Sequence, residues 1–485
     1  MNSDPDHSLA KTLNSWDIFI AGVSLVVAST TLISDLNGYF TLGLGFAVSI
    51  LLAFIVNLLL GLSAADLGAT HPRAGGLYDY AKEIFGGRFG SLLGVFLGLT
   101  FFGMFAFAAS GETAAGAFGL QALFHSDLHV NLFIVTVSVL AVIPNIFGLK
   151  IASWVNAGLL VLMLGIRLLF GIVGFLGLSA TGQWSFANLV SSPIVFDIFG
   201  QGGILSGGLA LAFWTFVGIE FACSLAEEVK VPRRSLPKGI ILGLVAILGT
   251  SLIMGLGITG TQPLSSWQAL IGSEAACGGS CPQLAVGQAM LGNTGYNLMA
   301  LASVAATLGS LIVAFAAMPR ILYSIARDGN LFGGLSRQFS KLHPQYGTPV
   351  IATLFTLVLY TGPALHSSEV VKWVYSAAYV WAVLYAVFHV LAFFSRKRLA
   401  AQAEVAFSGA WFAPMTMVGV GLTVLCIYYA FLGQHVEYGG RALLVILTAL
   451  ITAVISFAIS SPGKLVPAAS EEKGVPLEES GKVRR

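Results

Sequence analysis

Apolar residues fall in long blocks along this chain, and polar residues gather in short stretches between them. A block of about 20 predominantly apolar residues is long enough to cross a bilayer as a helix. By that measure the pattern predicts twelve helical spans, at 16–36, 41–67, 91–120, 130–148, 153–178, 203–225, 238–260, 294–325, 348–364, 371–394, 411–432 and 440–460. The residues before Trp16 and after Pro462 are polar and read as tails, 1–15 and 461–485, without fixed structure of their own. Most blocks are uninterrupted. Two are not. The first carries Ala28, Ser29, Thr30 and Thr31 in mid-span, with Gly22 and Ser24 a turn or two before. The sixth sets Gly218 beside a carboxylate, Glu220, after Thr215, Phe216 and Val217, which start no helix strongly. Irregular backbone at membrane depth is tolerated only where protein or a water-filled cavity satisfies it.

The two interrupted spans stand five apart. Broken helices at matching positions of two halves point to a transporter site between inverted repeats. The expected fold class is therefore an all-α integral membrane protein of twelve helices. Residues 16–178 form a first five-helix repeat, 203–394 an inverted second, and 411–460 two further helices.

Composition and charge agree. Of the 485 residues 56% are hydrophobic and 9% charged, with a mean hydropathy of +0.86, whereas a soluble domain carries about 25% charged residues. Lipid must cover much of such a surface, so the bilayer is itself a partner. A net charge of +2 without a long basic run argues against a nucleic-acid partner. The first fifteen residues hold a single base, Lys11, which is unlike a cleavable signal, so the first block is expected to stay in the membrane. Basic residues mark the cytoplasmic side. With the N-terminus inside, 21 of the 24 Lys and Arg fall in inside loops and tails, which predicts a cell-membrane protein with both termini cytoplasmic. Lys372 and Arg441 fall outside, and Arg167 lies within a span. Cys277 and Cys281 then sit in an external loop and pair if that side is oxidising. They have no neighbouring His or Asp for a metal site, and nothing implies a cofactor.

Three motifs carry a resemblance. Residues 214–220, WTFVGIE, followed by LAEEVKVPRRSLPKGI, are similar to the sixth helix and following loop of amino acid–polyamine–organocation (APC) transporters. LSAADLGATHPRAGGLYDYAKEIFG resembles the end of that family's second helix and its first inside loop, and PRILYSIARDGNLF the end of its eighth helix. They occur in the family's order. The resemblance implies the LeuT-type fold and secondary transport of an amino acid or related amine.

A discontinuous helix exposes unpaired N–H groups at the electropositive start of its second half. A solute carboxylate would be held there in the first helix, and exposed carbonyls of the sixth would take an ammonium. The family's glycine-serine-glycine element corresponds to Ala28, Ser29 and Thr30, so both glycines are replaced. The expected solute-binding set is Val26, Ala28, Ser29, Thr30, Trp214, Thr215, Phe216 and Gly218, each weighed against a plain packing role. The resemblance, closest to arginine–agmatine antiporters in the sixth helix, implies gating by Trp214 and proton sensitivity at Glu220. A carboxylate in hydrocarbon is in any case a functional candidate; a structural carboxylate bonded to neighbours is the alternative. Glu112 is counted from Ser91 to near the external end of the third span, either lining an outer vestibule that favours a cationic solute or forming a solvated helix end. Arg167 is a fixed counter-charge, since Arg does not deprotonate, or it pairs with an acid or snorkels. In proton-coupled members a fifth-helix lysine replaces a sodium ion; Met163 or Leu164 occupies the matching place. Ser303, Thr307 and Ser310 would suit a sodium site, but no acid supports it. His389 reads as a packed histidine.

The expected function is secondary active transport of amino acids by alternating access, as proton-coupled symport or exchange. Only Glu112 and Glu220 are counted as acids within spans, which favours a neutral substrate. The rivals are an amine or polyamine carrier, whose solute needs no carboxylate cradle, and a transporter-like sensor. A membrane enzyme lacks the convergent His, Asp or Glu sets it would need, and no accessory subunit is evident.

Overall fold

The computed structural model describes residue 9 and residues 11–279, 281–332, 334–366, 370–399, 405–429 and 436–459. In chain order the helices are α1 (Ser15–Val26), α2 (Ser29–Leu42), α3 (Leu44–Thr70), α4 (Leu77–Phe85), α5 (Gly87–Leu123), α6 (Val130–Ile146), α7 (Leu149–Phe175), α8 (Phe186–Leu189) and α9 (Leu209–Trp214). They continue as α10 (Pro232–Thr259), α11 (Leu264–Ile271), α12 (Pro282–Arg327), α13 (Gly334–Phe339), α14 (Val350–Ala364), α15 (Val370–Leu399), α16 (Phe412–Ile427) and α17 (Val436–Ile459). Among the described residues eight helices are long and apolar enough to cross a membrane, or nine if the bent pair α1–α2 is one span. Three shorter apolar helices, α6, α14 and α16, accompany them. The chain is an all-helical, multi-pass membrane protein. Trp154, Val161, Leu169 and Ile172 of α7 are exposed, as side chains turned to lipid are.

The first span departs most from an even helix. Asn14 starts α1 by accepting from the Trp16 and Asp17 amides, while the Asp17 carboxylate accepts from the Asn14 amide. Helix α1 ends at Val26 and α2 begins at Ser29, bent by 57° from it. Between them Ala28 is extended at φ −68° and ψ 166°. Helix α2 then runs to Leu42, past the expected end at 36, because the stop is Gly43. That residue has φ +51°, and a Cβ there would lie 2.1 Å from the Leu189 carbonyl oxygen.

Two other expectations are corrected. Helix α12 starts at Pro282, not near 294, but Leu291 and Gly292 are non-helical, so a buried lead segment meets the long helix at a kink. The polar residues Gln283 and Gln288 hide that segment from a hydropathy reading; inside the protein Gln283 donates to the Ser303 hydroxyl at 3.0 Å. The residues just before α1 are not a loose tail. Leu9 and Leu13 are buried, the Thr12 and Leu13 amides donate to the Glu228 carbonyl at 2.9 Å, and the Lys230 amide donates back to Leu13. The rest of the expected tails, residues 1–8, 10 and 461–485, lies outside the described residues. Cys277 and Cys281 are joined as a disulfide, while Cys223 and Cys426 are buried thiols.

Candidate functional site

The sixth span is broken as well. Its residues pass from a π-helical turn, Ile204–Gly208, through α9 to the turn at Thr215–Gly218, then continue as a 3-10 helix, Ile219–Glu228. The expected helix thus resumes in a tighter form. Gly218 makes the turn possible. It has φ +114°, a region that costs a side chain, and a Cβ there would lie 2.8 Å from Leu25 Cδ2 of α1. The two breaks lie side by side.

At the first break, two amides at the start of α2 have no intrahelical acceptor. Both donate to Glu112 of α5: Ser29 N to Oε1 at 2.8 Å and Thr30 N to Oε2 at 2.9 Å. The Thr30 hydroxyl adds a bond to Oε2 at 2.9 Å, and the Thr307 hydroxyl of α12 one to Oε1 at 2.6 Å. The freed Val26 carbonyl accepts from the Thr31 hydroxyl at 2.6 Å. Glu112 is therefore neither in an outer vestibule nor at a solvated helix end. It is 3% exposed and occupies the electropositive start of α2, the place anticipated for a solute carboxylate. A rise counted along one helix gives no information about where a neighbouring helix breaks. Thr307 is committed to this carboxylate, and Ser303 accepts from Gln283. That leaves little of the hydroxyl set considered for sodium.

At the second break, Glu220 folds back. Its Oε2 accepts from the Gly218 amide at 3.2 Å and from the Tyr385 hydroxyl at 3.0 Å, and its Oε1 from Trp381 Nε1 at 2.5 Å. The indole of Trp214 reaches the other break, with Nε1 3.3 Å from the Thr30 hydroxyl. It meets Trp381 edge to face at 5.7 Å between centroids. Ala28, Thr30, Glu112, Trp214, Phe105, Ser310 and Trp381 share the wall of one cavity of about 20 Å³, room for about one water. A larger cavity, about 560 Å³, lies between α5, α14 and α17. Apart from Thr448 and Thr452 its wall is apolar, including Leu99, Phe102, Phe355 and Leu444. It offers a polar solute almost nothing to bond.

The remaining expected residues point elsewhere. Phe216 is fully buried and packs on Phe54. Thr215 donates to Asp35 Oδ1 at 2.6 Å. Asp35 Oδ2 receives Arg167 Nη2 at 2.5 Å and the Ser251 hydroxyl at 3.0 Å. Arg167 is thus a paired base, 2% exposed, that ties α7 to α2, while Asp35 itself links α2 to Thr215 after α9 and to Ser251 of α10. The count of two intramembrane acids is corrected too, since Asp35 and Asp66 are both fully buried within helices. His389 is packed, its Nδ1 2.8 Å from the Ser63 hydroxyl.

Sequence reasoning missed Trp381 and Tyr385. The signal was a pair of aromatic residues with polar tips four apart in an apolar block, one face of a helix. Asp35 was visible as an acid in the first span. No group of three or more His, Cys, Asp or Glu fit to hold a metal occurs among the described residues.

Two adjoining breaks in apolar helices, each closed by a buried carboxylate, are the kind of arrangement found in membrane transporters. The chain belongs to the amino acid permease family, whose model matches residues 13–463; its members are transporters, not enzymes, and the family implies a LeuT-like fold. The chain is 25% identical over 393 residues to a branched-chain amino acid permease of Bacillus subtilis, covering 76% of this chain and 77% of that protein. It is 26% identical over 387 residues to cationic amino acid transporter 4 of Mus musculus, covering 74% of this chain but 55% of that longer protein. A methylthioribose transporter of Bacillus subtilis is 25% identical over 380 residues, covering 74% and 75%.

Proposed function

We propose that the protein is a secondary active transporter that moves amino acids or small amines by alternating access, by proton-coupled symport or by exchange. The observation that carries this reading is the meeting of two interrupted helices at one small polar cavity. Broken helices at the midplane are where such carriers hold solute and coupling ion. The relatives' named solutes, branched-chain amino acids, cationic amino acids and methylthioribose, are all small and polar in part. In this reading residues 16–178 and 203–394 are inverted repeats and 411–460 are two added helices, making twelve spans. The bias of 21 of 24 basic residues supports cytoplasmic termini in a cell membrane.

Trp214 stands as the gate. It is half-buried, bridges both breaks, and must shift before a cavity of about 20 Å³ admits a solute. Val26, Ala28, Ser29 and Gly218 contribute backbone at the breaks, Thr30 its hydroxyl, and Thr215 holds α9 to α2 through Asp35. Glu220 is the proton carrier of this reading. Its partners, Trp381, Tyr385 and the Gly218 amide, are neutral donors, so a proton is not competing with a fixed cation. The test is Glu220→Gln in proteoliposomes with proton and sodium gradients imposed separately. Solute exchange should persist while gradient-driven accumulation is lost. Undiminished accumulation in the variant removes Glu220 from the coupling role.

A further inference from the structure

We infer that the start of α10, with Trp16 of α1 beside it, binds an anionic phospholipid, the headgroup on Arg234 and Lys238 and an acyl chain along the exposed face of α10. On the orientation proposed above the lipid belongs to the inner leaflet. The site does not depend on what the protein carries.

Lys230, Arg233, Arg234 and Lys238 fall within nine residues at the start of α10, and all four are exposed. Elsewhere Arg73, Lys82, Lys150, Arg320, Arg327 and Arg396 each meet a carboxylate. These four meet none within 4 Å among the described residues. The acids just before them, Glu227 and Glu228, are taken by Arg327 and Arg320, and Asp17 of α1 is taken by Lys150. Residues 460–485 hold five Lys and Arg against four Glu, so that segment is a poor counter-charge. Clustered bases immediately beside a membrane helix attract acidic headgroups, each base adding to the attraction.

Position selects two of the four. Helical residues three and four apart share a face, which puts Arg234, Lys238, Leu242, Val245 and Ile253 on one stripe of α10. Leu242, Val245 and Ile253 are all exposed, and a Cβ on Gly249, in the same line, would meet nothing within 4 Å. From Lys238 to Ile253 the stripe runs about 22 Å, more than half of a hydrocarbon core about 30 Å thick. It is long enough to carry an acyl chain down from a headgroup at the two bases. Arg233 points to another side of the helix and Lys230 precedes it, so both add field to the site.

Helix α1 flanks this stripe. Ser15 Oγ lies 3.3 Å from Ser235 Oγ, and a Cβ on Gly239 would lie 2.5 Å from Ile18 Cγ2. Ser235 and Gly239 each follow a stripe base in sequence, so α1 is seated directly beside it. Trp16 is 66% exposed at this place, with Phe19 edge to face at 5.0 Å between centroids. Indole rings gather at the level of lipid headgroups. A phospholipid here touches α1 and α10 together, and α1 is the first half of the broken span. Its binding therefore favours the arrangement in which α1 stays seated on α10.

The test uses the full chain, stripped of lipid in a neutral detergent and titrated with dioleoylphosphatidylglycerol, dioleoylphosphatidylcholine or glycerol phosphate. Binding is read by thermal stabilisation and by lipid retained through gel filtration. Phosphatidylglycerol should bind about tenfold or more tightly than phosphatidylcholine, and glycerol phosphate should not stabilise. Arg234→Gln with Lys238→Gln should erase most of that preference, while Arg234→Lys with Lys238→Arg keeps it. Arg88→Gln with Arg337→Gln removes two other exposed bases and should leave the preference unchanged. Trp16→Ala should weaken both phospholipids without changing their ratio. Equal binding of the two phospholipids by wild type overturns the inference. Equal loss in the two Gln pairs overturns it as well, since net charge alone would then explain the preference. Loss in the Lys/Arg exchange counts against it too, as a structural effect of the change. Stabilisation by glycerol phosphate matching that of phosphatidylglycerol would replace the lipid with a free anion, and unchanged binding in Trp16→Ala would remove α1 from the site.

Discussion

Buried carboxylates in this protein divide into two kinds by region. In the helical framework each meets a cation: Asp17 meets Lys150 at 2.8 Å, Asp35 meets Arg167 at 2.5 Å, Asp66 meets Arg396 at 2.6 Å and Glu228 meets Arg320 at 2.5 Å. At the two helix breaks Glu112 and Glu220 meet, among the described residues, only amides, hydroxyls and an indole. Burial makes both kinds costly. A fixed cation neutralises the charge permanently and ties helices together. Neutral donors leave the charge in place for something mobile, a proton or a solute, to meet. On the function proposed above, the comparison separates carboxylates that hold the frame from carboxylates placed at the solute site.

The largest expected effect lies on the framework side. Removing one member of a buried pair leaves an uncompensated charge and costs about 3–5 kcal/mol, while replacing both is often neutral. Arg167→Met should lower the unfolding temperature in detergent by several degrees, and Asp35→Asn with Arg167→Met should restore most of it. In the double variant the Asn side-chain oxygen can still accept from Thr215, while its NH2 group can donate to the Ser251 hydroxyl oxygen. A double variant as unstable as the single one would mean the pair does more than neutralise itself.

On the other side the effect is smaller. Thr307→Val removes one of four donors to Glu112 and should cost about 2 kcal/mol, the worth of a hydrogen bond to a charged group. The same change should alter the affinity for transported solute more than Arg167→Met does in protein that remains folded. Equal affinity in wild type and Thr307→Val would move Glu112 into the framework class and erase the distinction.

Much of this architecture is written in local pattern. Runs of apolar residues marked the membrane helices, and the small polar patch at 28–31 and the glycine at 218 marked both breaks, because each is a local departure from helix-forming sequence. What could not be read is which distant group satisfies a break. Glu112 lies 83 positions from Ser29 and Trp381 lies 161 from Glu220, and no local spacing brings them together. The lead segment of α12 was hidden for another reason. Its two glutamines, Gln283 and Gln288, are polar by composition, yet Gln283 is fully buried and bonded to Ser303. Asp35 was legible but passed over, an acid in a span whose partner Arg167 had already been singled out.

Asp79 tests where the distinction ends. It lies in α4, outside the long apolar helices, yet like the acids at the breaks it is buried and bonded by neutral donors, the Ser324 hydroxyl and the Gly75 amide, both at 2.8 Å. Burial pushes its carboxyl up to about 6 from an ordinary 3.8. Ser324, Arg327 and the Gly75 amide pull it down, and Asp328 pushes it up. The folded protein thus holds this proton more tightly than the unfolded chain. Its contribution to stability is full below about pH 4 and is lost as the pH rises through about 6. Asp79→Asn keeps an acceptor but cannot titrate. Wild type should therefore lose about 1 kcal/mol relative to Asp79→Asn between about pH 5 and 7, with no further divergence above. Parallel stability curves for the two proteins would show that Arg327 already serves as the cation of Asp79. The group would then join the framework acids, and carboxylates held by neutral donors alone would be confined to the helix breaks.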